Sequence, residues 1–200
     1  RMGVEVKATF VPAQWVEITG MLSLGDYIWD SNAVGYYYNQ NGQPLANTTT
    51  GAIASGILAE DHVHGTLMQK GRKVGGSAQT TAALGATFRP FKGFRIGCDW
   101  TVADRLYSDY TVSAPSAGGT VTVGDPWRAP WGNQFDVNAS YRFKIGGVDA
   151  VLSGNVQNLF NYNYVVDAYT SSSSNGTWEN AYRVFYSFGR TYSMKLRVNF

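Results

Sequence analysis

Charge is scarce in this chain. Asp, Glu, Lys and Arg make up 15% of its 200 residues, against about a quarter in an ordinary soluble domain. The net charge of +2 is too small for an electrostatic footprint on nucleic acid. A single cysteine, Cys98, excludes a disulfide framework within the chain and reads as a small hydrophobe. No apolar run approaches the roughly 18 residues of a transmembrane helix, and the long Leu/Ala/Glu/Lys stretches of a helical enzyme are missing. Arg1-Met2-Gly3-Val4-Glu5 lacks the apolar segment of a signal peptide, so residue 1 is not expected to be the natural start. No P-loop, nucleophile-elbow or paired-cysteine motif occurs. The chain is therefore not expected to be an enzyme, and no cofactor is expected.

What is abundant is glycine (23), tyrosine (13), phenylalanine (10) and tryptophan (6), a mix that suits many strands and many turns. The clearest pattern lies near residue 200. Phe200, Val198, Leu196, Met194 and Tyr192 alternate with Asn199, Arg197, Lys195, Ser193 and Thr191. Strict period two gives a strand one apolar and one polar face, and about ten tilted residues cross a bilayer. The pattern recurs along Val4–Phe10, Val16–Leu24, Ala78–Phe88, Phe94–Val102, Phe135–Ile145 and Val148–Val156, which predicts seven antiparallel strands.

Two features favour a membrane barrel over a soluble sandwich. None of the apolar-parity residues within these runs is charged. Asp26, Asp104 and Arg190 take that parity only where a strand would leave the hydrocarbon, which avoids the roughly 2–4 kcal/mol cost of a basic residue at mid-bilayer. The connections also alternate: residues 11–14, 90–93 and 146–147 are tight, whereas 29–76, 111–132 and about 165–183 are long and polar. Short periplasmic turns and long extracellular loops are the outer-membrane arrangement. Aromatics gather at both ends, Phe10, Trp15, Phe88, Phe91, Phe94, Phe143 and Phe200 by the turns, and Tyr27, Trp29, Tyr107, Tyr110, Tyr162 and Tyr164 by the loops. These read as two interfacial girdles. A soluble β-sandwich that binds carbohydrate would instead carry polar residues on its outer faces.

Three segments carry a family resemblance. Asn155-Val156-Gln157-Asn158-Leu159-Phe160-Asn161-Tyr162-Asn163-Tyr164 resembles the penultimate-strand signature of TonB-dependent receptors. Phe188-Gly189-Arg190-Thr191-Tyr192-Ser193, running on to Phe200, resembles the approach to their last strand. Lys73-Val74-Gly75-Gly76-Ser77-Ala78-Gln79 is similar to a stretch of Bacteroidetes members, with Gly76-Ser77 departing from it. The resemblance implies that residues 1–200 are the C-terminal portion of a barrel of about 22 strands, with the plug domain and earlier strands lying outside this sequence. It implies a multi-pass protein of the bacterial outer membrane that takes up a scarce ligand, such as a siderophore, cobalamin or oligosaccharide. The implied partners are membrane lipid, the TonB–ExbB–ExbD complex reached through an N-terminal part, the ligand, and a surface lipoprotein. A passive channel or structural barrel is the alternative.

Candidate site residues are few. Tyr36, Tyr37, Tyr38, Trp127 and Trp131 lie in the expected extracellular loops, placed either to stack on a ring-bearing ligand or to pack the loops together. His62 and His64, beside Glu60 and Asp61, have metal-ligand chemistry at close spacing, but the chain holds no other histidine and no cysteine is nearby, so no metal is expected. Inward polar residues (Glu5, Lys7, Glu17, Asp99, Arg142, Lys144, Lys195 and Arg197) read as wall charges. Phe200 is expected to be the true end of the protein, and the stretch Tyr192–Phe200 resembles the C-terminal assembly signal of outer-membrane barrels, an amphipathic edge strand with a terminal aromatic.

Overall fold

The computed structural model describes residues 2–55, 62–111, 117–171 and 181–199. None of these residues is helical, and thirteen strands account for the regular structure. Seven long strands form one antiparallel meander: β1 (Met2–Ala13), β2 (Val16–Asp26), β5 (Thr80–Phe88), β6 (Phe94–Asp104), β9 (Gly132–Ile145), β10 (Val148–Gln157) and β13 (Thr191–Asn199), in that spatial order. These are the seven strands that the period-two pattern predicts, each within a few residues of its expected bounds. The long connections, expected as loops, contain six short strands: β3 (Ala33–Tyr36), β4 (His64–Met68), β7 (Asp109–Thr111), β8 (Thr120–Thr122), β11 (Val165–Ser171) and β12 (Ala181–Tyr186). They build two three-stranded sheets, β3-β4-β8 and β12-β11-β7, each with one parallel pairing.

Register carries the sequence pattern across the whole meander. Because paired residues share a face, apolar residues line up in rows perpendicular to the strands. One row runs Phe10–Ile18–Ala86–Cys98–Val137–Val156–Tyr192 through all seven strands. On the opposite face Glu17, Thr87, Gly97, Asn138, Asn155 and Ser193 form a polar row. A one-residue slip in any strand would turn its polar set onto the apolar face, and in β2, β6 or β9 could bring Glu17, Asp99 or Asp136 into this row.

The rows are oblique to the turns. The first lies two residues past Val16 in β2, four past Phe94 in β6 and eight past Val148 in β10. That is about one and a half residues per strand step; with a rise of about 3.4 Å and a spacing of about 4.8 Å, it corresponds to a tilt of about 45°. Pro12 sits at a register irregularity between Phe10 and Ala13 of β1, a position where a missing N–H is tolerated.

The core is not in the meander. Leu67, Leu106, Val123, Ala129 and Ala168, all buried, belong to the loop region, and among the described residues Val16 and Ala150 are the large sheet's only buried hydrophobic side chains. Its apolar face lies open: Phe10 is 64% exposed, Leu84 51%, Leu196 58% and Met194 81%. Among the described residues neither small sheet packs as a layer on the large one. Asp26 and Asp104 are the last residues of their strands and Arg190 immediately precedes β13, so the charges of apolar parity fall at strand ends, as expected.

Candidate functional site

The loop end of the meander is where side chains converge. It is built from the residues of the three signature segments, which act as clasps between strand ends. Asn158, 2% exposed, follows β10 with φ of 53°, a left-handed conformation that asparagine adopts more readily than most residues. Its Nδ2 donates to the carbonyls of Tyr162 and Phe188, both at 3.0 Å, and its Oδ1 accepts from the Tyr162 N–H at 2.9 Å. Its own N–H donates to Asp136 at 2.8 Å. Asn161 accepts the Arg190 N–H at 2.9 Å, and the Arg190 guanidinium donates to the Leu159 carbonyl at 3.2 Å. The first two signature segments thus hold one another.

The third segment does the same between β2 and β5. Gln79, buried, donates from Nε2 to the Tyr27 carbonyl at 3.1 Å and accepts the Tyr27 N–H at 3.3 Å. Arg105, at φ of 53°, donates to Thr80 Oγ1 and to the carbonyls of Gly25 and Gln79. Gly75 lets the backbone of Ser108 approach so closely that a Cβ would lie 2.3 Å from its carbonyl oxygen. Lys73 ion-pairs with Asp26.

On this frame sits an aromatic cleft of 510 Å³, within the range of small-ligand sites, whose walls include Trp127, Trp131, Tyr162, Tyr164 and Tyr186. Trp127 is fixed by its backbone: its N–H donates to Ser108 Oγ at 3.0 Å and its carbonyl accepts the Ser108 N–H at 2.8 Å. Ser108 is in turn buried against Thr170 Oγ1 at 3.1 Å. Tyr164 lies over Gly132, where a Cβ would come within 2.4 Å of its ring, and its hydroxyl donates to Gln134 at 3.4 Å. Between the two tryptophans, an Nη of Arg128 donates to both carboxylate oxygens of Asp104 at 2.9 Å. That carboxylate holds the guanidinium pKa above its ordinary value.

The loop aromatics expected to act together are divided. Trp127 and Trp131 share the cleft; Tyr36, Tyr37 and Tyr38 lie in and just after β3. Tyr36 and Tyr38 pack on His62 with ring centroids 4.7 and 5.3 Å away, and Tyr36 lies 6.0 Å from His64. His62 is 2% exposed, so it is packed among rings rather than solvated in a loop. Among the described residues no group of three metal-ligand side chains forms; Glu60 and Asp61 lie outside them. Tyr162 and Tyr164, read as girdle residues, stand in the cleft wall. Their spacing directly after β10 placed them by the loops, whereas the hairpin that brings Tyr186 beside them leaves no local signal. Tyr192 begins the outer row on β13 and is well exposed. Phe200 lies outside the described residues.

The polar face carries the residues expected to point inward. Arg89 pairs with Glu17 at 3.1 Å; Arg95 donates to Asn138 at 3.1 Å and Thr87 at 3.3 Å, and Asn138 donates to Asp99 at 3.3 Å. Near the short turns, Arg142 and Lys144 line a basic hollow with Arg89, Lys92 and Arg95.

The sequence matches no protein-family model, and it matches no curated protein. The fold itself defines the class: an all-β chain built on one seven-stranded antiparallel sheet.

Proposed function

We propose that this chain is the C-terminal portion of the wall of a transmembrane β-barrel in a bacterial outer membrane, and that the barrel is a TonB-dependent receptor for active ligand uptake. The observation that carries the membrane reading is the open apolar face. Seven strands present aligned rows of Phe, Leu, Val, Ile, Met and Trp with no layer packed on them. Soluble monomers rarely expose contiguous apolar patches larger than a few hundred Å², whereas in hydrocarbon such a face needs no cover.

Two further features support a barrel. The tilt of about 45° lies at the steep end of the inclination that closed barrels take. Strands β1 and β13 each keep one edge without a partner among the described residues, and within a bilayer unpaired backbone groups must be satisfied by neighbouring strands. The receptor reading rests on the three signature segments, which couple the strand ends to the loops. In this reading the outer-membrane location, the TonB–ExbB–ExbD complex, a plug domain and a surface lipoprotein follow from the family resemblance.

Single-cysteine variants in a Cys98→Ser background test the arrangement. Asn47→Cys, in the first long connection, should react with a membrane-impermeant maleimide on intact cells. Lys92→Cys, in a short turn, should react only after the outer membrane is opened. Labelling of Lys92→Cys on intact cells, or recovery of the protein outside the outer-membrane fraction, would overturn the proposal.

A further inference from the structure

The basic hollow by the short turns has a volume of 880 Å³. The Gly93 carbonyl accepts the Arg142 N–H at 2.8 Å, so the β5–β6 turn abuts β9 there, while the β9–β10 hairpin runs on to its own turn at 146–147. The hollow occupies the step between them. Its lining sets Arg89, Lys92, Arg95, Arg142 and Lys144 against one carboxylate, Asp149. Arg89 is held by Glu17, and the side chain of Arg95 donates to the neutral groups of Asn138 and Thr87. Among the described residues Lys92, Arg142 and Lys144 have no acidic partner within ion-pair distance. Register extends the basic row, since Arg142, Val151 and Arg197 are neighbours across β9, β10 and β13.

Beside these cations runs a band of rings. Phe91 stacks on Phe94 with centroids 5.0 Å apart and meets Tyr141 edge-on at 6.3 Å, and Tyr141 stacks on Phe143 at 5.7 Å. Tyr141 is the register partner of Phe94 on the apolar face, and Phe91 is more than half exposed. Clustered cations without carboxylate partners favour a phosphate, whose oxygens accept paired guanidinium N–H bonds. A free phosphate or an acidic peptide would use the cations and leave the rings idle. An amphiphile uses both, with its headgroup in the hollow and its hydrocarbon over the rings, where interfacial aromatics sit. We infer that the hollow is a specific site for the headgroup of an anionic phospholipid in the leaflet at the short-turn end. Basic pockets at a membrane surface hold such headgroups. This assignment rests on the proposed barrel, which fails in the cysteine-labelling experiment; the lipid site fails in the choice of lipid alone.

The test uses the full-length protein, purified in a nonionic detergent and stripped of bound lipid. Native mass spectrometry counts the lipid that it takes back. Phosphatidylglycerol and phosphatidylcholine of the same acyl chains are compared, and inorganic phosphate and a polyglutamate peptide are titrated as competitors. The expected result is one phosphatidylglycerol retained at least tenfold more tightly than phosphatidylcholine. Removing two cations near the membrane surface, in the double variant Arg142→Gln, Lys144→Gln, should weaken its retention about thirtyfold. Both side chains are exposed, so heat-modifiable mobility should stay intact. Lys92→Gln, in the turn itself, is an independent variant that should lose about fivefold. Phe91→Ala should also weaken retention, which a site built on charge alone would not show, and Arg72→Gln, at the loop end, should change nothing. Four results would each overturn the assignment: equal retention of the two lipids, full retention in both the double variant and Lys92→Gln, full retention in Phe91→Ala, or displacement of the lipid by equimolar phosphate or peptide.

Discussion

Leu84 offers the sharpest test of which face meets lipid. It lies midway along β5, paired with Gly20 on one side and Trp100 on the other, and its side chain is half exposed with no layer above it. If that face met water, Leu84→Arg would be a surface change worth no more than about 0.5 kcal/mol. If it meets hydrocarbon near mid-bilayer, the same change should cost roughly 2–4 kcal/mol, about thirty- to a thousandfold in the folding equilibrium. Ala83→Arg is the matched control. It adds the same side chain one residue away, on the polar face between Met21 and Thr101, where the guanidinium stays hydrated. Reversible urea unfolding of the full-length protein in phosphatidylcholine vesicles measures both, with heat-modifiable mobility reporting the folded fraction. A loss in Leu84→Arg no larger than in Ala83→Arg would refute the assigned facing.

Other changes probe the clasps and the cleft. Asn158→Ala removes three side-chain hydrogen bonds from a buried site and a residue suited to positive φ. It should cost about 2–4 kcal/mol by the same urea assay, and Asn158→Gly should cost slightly less because it relieves the backbone. Gly75→Ala drives a methyl group into the Ser108 backbone; it should loosen the loop end and speed proteolysis between residues 29 and 76, with little effect on strand content by circular dichroism. Gly132→Ala collides with the Tyr164 ring and should close the cleft, lowering any ligand affinity at least tenfold while leaving assembly intact. Asp104→Asn weakens the hold on Arg128 and, as an exposed pair, should change stability by no more than about 1 kcal/mol. By freeing a cation beside the cleft it should raise tolerance for anionic ligands.

The meander was legible in the sequence because each strand must satisfy two different surroundings at once. Alternation at Phe94–Val102 or Phe135–Ile145 records that demand residue by residue, and register then carries it across strands. The small sheets left no such record. Strand β7 has three residues, as does β8, too few to show a period, and their partners are remote: Thr120 pairs with Thr66, and Asp109 with Tyr169. The same remoteness hid the cleft. Trp127 and Trp131 stood out as loop aromatics, but only the return of the chain at Val165 and Ala181 puts Tyr186 beside Tyr164. The clasp residues were visible as motifs, while their work of joining one signature segment to another appears only in three dimensions.

The separation between wall and loop core also constrains the order of assembly. Hairpins such as β1–β2 and β9–β10 join neighbours in the chain, so each can form as it emerges. The small sheets cannot, because β4 waits for β8 and β7 waits for β11 across many intervening residues, and contacts of long sequence separation form late. In a membrane assembly of the kind proposed, these segments would have to cross the bilayer as unpaired chain, with His62 not yet enclosed by Tyr36 and Tyr38, and condense only on the far side. Surface recognition would then mature after the barrel wall has closed, so a receptor could be fully inserted and still briefly blind to its ligand.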